Sequence, residues 1–137
     1  MMTPLRSETL PVREASDILL VRQFVRQCAA ELGFGVLDQT KLVTAASELG
    51  RNTLIHGGGG KMLLETLVKN DRRGLRLTFE DKGPGIADLE QAMTDGFTTK
   101  GGLGLGLGLG GSRRLVNEFE LVSRVGEGTR VTVTRWT

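Results

Sequence analysis

Hydrophobic residues recur at helical spacing near the start of the chain, which predicts a helix over about residues 16–32. Ser16 or Asp17 is placed to cap its start, and Gly33 is placed to end it. The apolar stripe of this helix consists of Ile18, Val21, Val25, Cys28 and Leu32. Residues 9–14 alternate in a way that indicates a short preceding strand. We expect the stripe to face a sheet.

A second helix is predicted from about Asp38 to His56, with Asp38 as its N-cap. Its inner face consists of Leu42, Ala46, Leu49 and Thr53. At roughly 100° per residue, a second stripe lies directly beside that inner face. This second stripe consists of Ala45, Glu48, Asn52 and His56. We expect its polar members to line the rim of a pocket.

Alternating apolar and polar residues further along predict four strands. We expect them at residues 61–68, 75–80, 120–125 and 129–136. In the second strand Leu75, Leu77 and Phe79 alternate with polar residues, which predicts a sheet covered on one face. A turn over residues 70–74 and a hairpin turn at 126–128 connect the strands, and residues 112–117 are expected to be helical.

The composition fits one domain over residues 1–137, with 39% hydrophobic and only 4% aromatic residues. The net charge of +2, from 18 basic and 16 acidic residues, is too small to indicate nucleic acid or an anionic membrane as a partner. No segment approaches the roughly 18 uninterrupted apolar residues of a membrane span. The lone Cys28 is expected to be a buried, reduced thiol. We therefore expect a cytoplasmic protein.

Glu48 and Asn52 lie four residues apart and therefore on one side of the second helix. Such a pair is common on half-exposed helices, but here it flanks the buried stripe. An amide oxygen suits magnesium, which prefers hard oxygen ligands, and a neighbouring carboxylate can take a proton from an attacking hydroxyl. We predict Asn52 as a metal ligand and Glu48 as a base. His56 either ends the helix with a local hydrogen bond or contacts a nucleotide bound at these residues.

Asp81, Gly83 and Gly85 follow a predicted strand, and alone they would indicate a surface turn. An ionised carboxylate only accepts hydrogen bonds, so Asp81 can bind the exocyclic amine of adenine. Glycine at the other two positions lets the backbone approach a flat ring. These residues are predicted to hold the base.

The run from Gly101 to Gly111 alternates glycine with leucine instead of serine, which separates it from flexible linkers. Such a loop can present backbone N–H groups to phosphates and close over them, with Lys100 reaching the terminal phosphate. The glycines predicted to contact nucleotide are Gly102, Gly104, Gly106 and Gly108. We expect residues 95–111 to form a lid that nucleotide orders. A Rossmann site is disfavoured because residues 95–100, directly before the run, make a poor strand and the run lies near the end of the chain instead of opening a βαβ unit. No Walker A sequence is present.

Taken together, the chain resembles the GHKL ATPase and kinase superfamily. Its N box looks like Glu48 to His56, its G1 box like Asp81 to Gly85, and its G2 box like Gly101 to Gly111. The chain is most similar to the RsbT-type serine/threonine kinases of bacterial stress signalling. The stretches that carry this likeness are residues 31–52, 80–86, 95–104 and 113–121. The run is one Gly-Leu pair longer than we expect, so its glycines are assigned as a set.

This resemblance implies a Bergerat-type two-layer α/β sandwich, with helices on one face of a mixed, mostly antiparallel sheet. It also implies ATP and Mg²⁺ as cofactors. Carried over by position, Glu48 is the catalytic base, Asn52 the magnesium ligand and Asp81 the adenine anchor, with Thr129 assisting Asp81. The implied substrate is a STAS-domain antagonist or scaffold protein. The implied second partner is the regulatory domain of a PP2C-type phosphatase, and a homodimer is left open.

Three other functions compete with this interpretation. One is an anti-sigma factor of the RsbW or SpoIIAB kind, which binds a sigma factor and phosphorylates its antagonist. Another is a nucleotide-sensing module without phosphotransfer, which the intact Glu48 and Asn52 disfavour. The third, a histidine-kinase catalytic domain, is disfavoured because no phosphoacceptor helix accompanies it.

Overall fold

A computed structural model of the protein describes residues 4–86 and 108–137. The elements follow the order β1, α1, α2, β2, β3, α3, β4, β5. The strands are β1 Arg6–Val12, β2 Gly60–Lys69, β3 Arg72–Asp81, β4 Glu118–Arg124 and β5 Gly128–Trp136. The helices are α1 Ala15–Glu31, α2 Val36–Ile55 and α3 Gly108–Arg113.

The five strands form one sheet in the order β1-β2-β3-β5-β4. Every pairing between the described strands is antiparallel, so the mixed component of the expected sheet is not found in this part of the chain. The register aligns side chains in rows across the sheet. One such row is Leu10, Met62, Phe79, Val131 and Leu121. The expected two-layer α/β fold is confirmed.

The core lies between one face of the sheet and the helices α1 and α2. The stripes predicted for both helices supply it, and Val21, Val25 and Leu42 are fully buried. Gly50 lets α2 lie close to α1, because a Cβ there would approach the side chain of Ile18 to 2.9 Å. On the sheet side the same position faces the ring of Phe79 in β3, which a Cβ would meet at an ordinary 3.7 Å.

Both helix starts differ from the sequence prediction. Helix α1 begins at Ala15 with Glu14 as N-cap, so neither Ser16 nor Asp17 caps it. The Asp17 carboxylate instead accepts hydrogen bonds from the backbone N–H groups of Arg13 and Glu14, at 2.9 and 3.1 Å. Asp17 lies at the third helical position and binds the backbone N–H of the N-cap residue, as the acidic member of a capping box does.

Helix α2 begins at Val36, two residues before the predicted start, with Gly35 as N-cap. Asp38 is therefore not a cap. Its carboxylate accepts a hydrogen bond from Arg135 Nη2 at 2.6 Å, and Arg135 Nη1 donates to the carbonyl of Leu115 at 2.9 Å. This long-range ion pair ties the start of α2 to β5, and local sequence patterns contain no signal for it.

The helix predicted at residues 112–117 is also displaced. Helix α3 covers Gly108–Arg113, and the chain then turns so that the Asn117 N–H donates to the Thr134 carbonyl at 2.9 Å. Leu109 is buried in the core and Ser112 is fully buried. Burial of Leu109 holds the end of the glycine-leucine run in helical form, although glycine has low helix propensity.

The turn between β2 and β3 is tighter than the predicted five residues. Asn70 and Asp71 both have positive φ, 51° and 65°, so two residues make the connection and both strands extend to meet it. The other connections follow the prediction within two or three residues. No helix within residues 4–86 and 108–137 is long and apolar enough to cross a membrane.

We predict that Leu77→Ala lowers the free energy of unfolding by about 2–5 kcal/mol, because Leu77 is fully buried and its removal leaves a cavity. Leu20→Ala is the matched control. That side chain is 56% exposed, so its truncation is expected to change stability by less than about 0.5 kcal/mol. Chemical denaturation of both variants measures the difference, and equal losses would contradict the described core.

Candidate nucleotide-binding site

Helix α2 carries Glu48 and Asn52 to the end of the sheet where β3 finishes. Glu48 is only 8% exposed, whereas Asn52 is half-buried. The N–H groups of His56 and Gly57 both donate to the Asn52 carbonyl, at 3.0 and 3.1 Å, and the helix ends there. The polar stripe therefore runs directly into a glycine-rich turn that faces Asp81.

Gly57 lies against the side chain of Asp81. A Cβ at Gly57 would come within 2.3 Å of Asp81 Cγ and 2.4 Å of Oδ2. Gly83 also packs against Gly57, because a Cβ on Gly83 would lie 2.7 Å from Gly57 Cα. Glycine at these two positions brings the end of α2 into contact with the loop after β3.

This packing gives the predicted glycines a physical role different from the one inferred from sequence. Gly83 packs on Gly57. Gly85 has φ of +77°, and a Cβ on it would lie 2.3 Å from the Arg124 carbonyl oxygen. Both residues thus hold the loop of residues 82–86 against the protein. Their approach to an adenine ring stays a prediction.

Asp81 Oδ1 accepts two backbone hydrogen bonds. Gly83 donates at 2.9 Å and Thr129 at 3.3 Å. Burial raises the pKa of the Asp81 carboxyl; these two donors oppose the shift, nearby Glu80 adds to it and His56 opposes it. The ionised form is therefore lost at a less acidic pH than in an exposed aspartate. Oδ1 is used for structure, and Oδ2 lies on the side of Gly57.

Thr129 was predicted to assist Asp81, and the structure brings the two residues together through the Thr129 backbone. The Thr129 hydroxyl is 2.8 Å from Ser123 Oγ. Ser123 Oγ also accepts from the Ile86 N–H at 2.8 Å and lies 3.2 Å from the Gly128 carbonyl. Ser123 thus ties the β4–β5 hairpin to the loop after β3, aided by the Gly126 N–H, which donates to Pro84 O at 2.8 Å.

Sequence reasoning missed Ser123 and Gly57. Ser123 pairs with Thr129 in the hairpin register, so a signal existed in the pairing of that hairpin. Gly57 begins a run of four glycines directly after His56, which was the signal for a close backbone contact. Neither signal names the partner, since Ile86 and Asp81 are distant in sequence.

Several predicted residues lie outside the described part of the chain. These are Lys100, Gly102, Gly104 and Gly106, together with most of the predicted lid. Gly108 begins α3. Their relation to Glu48 and Asp81 stays a prediction.

Magnesium needs hard oxygen ligands, and the described residues offer few of them close together. Within residues 4–86 and 108–137 there is no cluster of three or more histidine, cysteine, aspartate or glutamate side chains that could hold a metal alone. Asn52 is half-buried and has an amide oxygen, a hard ligand of the kind that magnesium prefers. Magnesium commonly completes its shell with waters and substrate phosphates, so one protein ligand of this kind is compatible with it. The site therefore fits a metal that arrives with a nucleotide.

Comparison with known proteins defines the class. Residues 37–136 match the family described as histidine kinase-, DNA gyrase B- and HSP90-like ATPases. The match spans more than half of the chain and includes Glu48, Asn52 and Asp81. The chain belongs to this family.

The branch of the family follows from individual relatives. The serine/threonine-protein kinase RsbT of Bacillus subtilis is 46% identical over 120 residues, which cover 88% of this chain and 89% of the relative. The anti-sigma F factor of a Thermoanaerobacter species is 34% identical over 118 residues, covering 84% and 82%. The chain is an ATP-dependent protein kinase of the RsbT type.

A solved structure supports the fold. The crystal structure of the RsbU and RsbW domains of a Mycobacterium tuberculosis protein superposes with a TM-score of 0.63 and 22% identity. The superposition covers 97% of this chain and 33% of that one.

We predict that Asp81→Asn weakens ATP binding by roughly 5- to 150-fold, the equivalent of about 1–3 kcal/mol. The asparagine oxygen can still accept from Gly83 and Thr129, so the fold is expected to persist, but its NH₂ group faces the adenine amine. Asp71→Asn, in the exposed turn between β2 and β3, is the control. Calorimetric titration measures both variants, and unchanged affinity in folded Asp81→Asn would remove Asp81 from the site.

We also predict that Ser123→Ala loosens the loop after β3, because the Ile86 N–H loses its acceptor. The expected loss is about 1 kcal/mol of local stability. Hydrogen exchange at the Ile86 amide measures it directly, and exposed Ser7→Ala is the control. Unchanged exchange at Ile86 would show that the hydroxyl does not hold the loop.

Proposed function

We propose that this kinase transfers phosphate from Mg-ATP to a serine or threonine of a STAS-domain antagonist or scaffold protein. In this proposal it then binds and activates a PP2C-type phosphatase through that enzyme's regulatory domain, within a cytoplasmic bacterial stress-signalling partner switch. The observation that carries the proposal is the 46% identity with an RsbT kinase along nearly the whole of both chains. The placement of Glu48, Asn52 and Asp81 on adjoining elements supports it.

Nucleotide binding is assigned to two elements. Asp81, at the end of β3, accepts a hydrogen bond from the exocyclic amine of adenine. The hydrogen bonds from the Gly83 and Thr129 N–H groups keep the carboxylate in place. Asn52 provides the amide oxygen for the metal. Magnesium, when bound, neutralises charge on the phosphates and so lowers the barrier to transfer.

Glu48 is assigned the role of the base that accepts the proton of the substrate hydroxyl. The substrate hydroxyl oxygen attacks the γ-phosphorus, its proton passes to the Glu48 carboxylate, and the bond from the γ-phosphorus to the bridging oxygen breaks to release ADP. A base of this kind must lie near the phosphoryl group and be shielded from bulk water. Its 8% exposure is consistent with that requirement.

A second candidate function has support from the anti-sigma F factors, which are 34% and 30% identical to this chain. In that case the chain would bind a sigma factor and phosphorylate its antagonist. The two functions differ in the bound partner. Stable capture of a sigma factor by the purified chain would favour this candidate, whereas capture and activation of a PP2C-type phosphatase would favour the first.

We predict that Glu48→Gln keeps most of the affinity for Mg-ATP while phosphotransfer falls about 10²- to 10⁴-fold, the usual contribution of a general base. Glu120→Gln, on the exposed edge strand β4, is the matched control and is expected to transfer at the parental rate. Incubation with Mg-ATP and STAS proteins, followed by mass spectrometry, gives the rates. A parental rate in Glu48→Gln would make its role structural.

Asn52→Ala is expected to bind Mg-ATP more weakly than Glu48→Gln does, because the Asn52 substitution removes the proposed metal ligand. Titration with ATP is carried out with and without Mg²⁺. We expect Asn52→Ala to lose the part of the affinity that depends on magnesium, while exposed Gln23→Ala keeps it. Full magnesium dependence in Asn52→Ala would contradict this assignment.

A further inference from the structure

Two guanidinium nitrogen atoms within the described ranges are buried without a hydrogen-bond partner. They are Arg135 Nε and Arg51 Nη2. Arg135 binds Asp38 and the Leu115 carbonyl through its other two nitrogens, so that group is largely satisfied by the fold. The unpaired nitrogen of Arg51 has no comparable structural explanation.

A buried N–H group of a charged side chain without an acceptor is unfavourable. Such an atom in a native protein needs an explanation, and a catalytic role or a bound ion or water are among the known ones. Because arginine stays charged and carries only donors, a group that binds this nitrogen must be an acceptor, and anionic oxygens suit it best. Phosphate oxygens fit this description, and guanidinium binds them with two parallel hydrogen bonds.

The position of Arg51 on α2 places it beside the proposed chemistry. Three residues correspond to about 300° of rotation, so Arg51 lies about 60° from Glu48, on the side away from Asn52. Glu48 therefore lies between Arg51 and Asn52 around the helix. Side chains on a helix lean toward its N-terminus, which directs the long Arg51 side chain back toward the turn that carries Glu48.

We propose that Arg51 binds the phosphoryl group that is transferred, on the side of Glu48 opposite the metal ligand Asn52. The proposal rests on the proposed function, in which Glu48 takes the proton during transfer. Charge spreads over the equatorial oxygens of the phosphoryl group in the transition state, and a fixed guanidinium stabilises it there. Arg51 would then distinguish nucleoside triphosphate from diphosphate.

The test compares Arg51→Gln and Arg51→Lys with Arg22→Gln, an exposed arginine on α1. The probes are ADP and the non-hydrolysable analogue AMP-PNP, each with Mg²⁺, and the measurements are calorimetric affinity, Tm and single-turnover phosphotransfer. We expect Arg51→Gln to lose roughly tenfold or more in AMP-PNP affinity and in transfer rate, with ADP affinity unchanged. Arg51→Lys is expected to recover part of both, since it keeps the charge without the planar fork.

An equal loss of AMP-PNP and ADP affinity would overturn the proposal, as would a lowered Tm with unchanged preference for AMP-PNP over ADP. Either result would make Arg51 structural. If Arg51→Gln does not fold, the affinities of Arg51→Lys for AMP-PNP and ADP are compared instead, and a loss for AMP-PNP alone is expected.

Failure of the proposed function has a different signature. The parental protein would then bind both nucleotides but transfer no phosphate to a STAS protein. The preference for AMP-PNP over ADP would still test Arg51 in that case.

Discussion

Two backbone N–H groups from different parts of the chain donate to one oxygen of Asp81. Gly83 lies two residues further on, whereas Thr129 comes from β5. The carboxylate therefore joins the end of β3, the loop after it and the β4–β5 hairpin. Because Asp81 is partly buried, these bonds also offset the cost of keeping it charged. The residue proposed to bind adenine is thus also a structural link between these three segments. Its two backbone hydrogen bonds orient the carboxylate in the protein without a nucleotide.

The helix layer completes this arrangement. Apolar rows across the antiparallel sheet hold α2 by its inner face, and Gly57 then brings the helix end against Asp81. Glycine is needed at position 57 because any Cβ there would collide with the Asp81 carboxylate. The same helix carries Glu48 and Asn52, one turn apart, toward that contact. In the proposed function, affinity for the base and chemistry at the phosphates would both depend on this contact between α2 and the loop after β3.

The sequence predicted features governed by local periodicity. Both helix stripes, the strand that ends at Asp81 and the final hairpin follow from side-chain spacing. Features set by long-range contacts were not predictable. Asp38 has the chemistry of an N-cap but binds Arg135, which is 97 residues away. Helix α3 begins inside the glycine run because Leu109 is buried in the core. Ser123 acts through Ile86, and no local pattern joins those two residues.

In the proposed function the Asp81 carboxylate recognises the exocyclic amine of adenine. Inosine triphosphate tests it directly, because it has the same phosphates and ribose as ATP but a carbonyl oxygen in place of that amine. Two acceptors would then face each other, so we predict at least about tenfold weaker binding than for ATP. In Asp81→Asn, whose amide can donate, the difference between the two nucleotides is expected to shrink. Equal affinity of the parental protein for ATP and inosine triphosphate would show that Asp81 does not recognise the adenine amine.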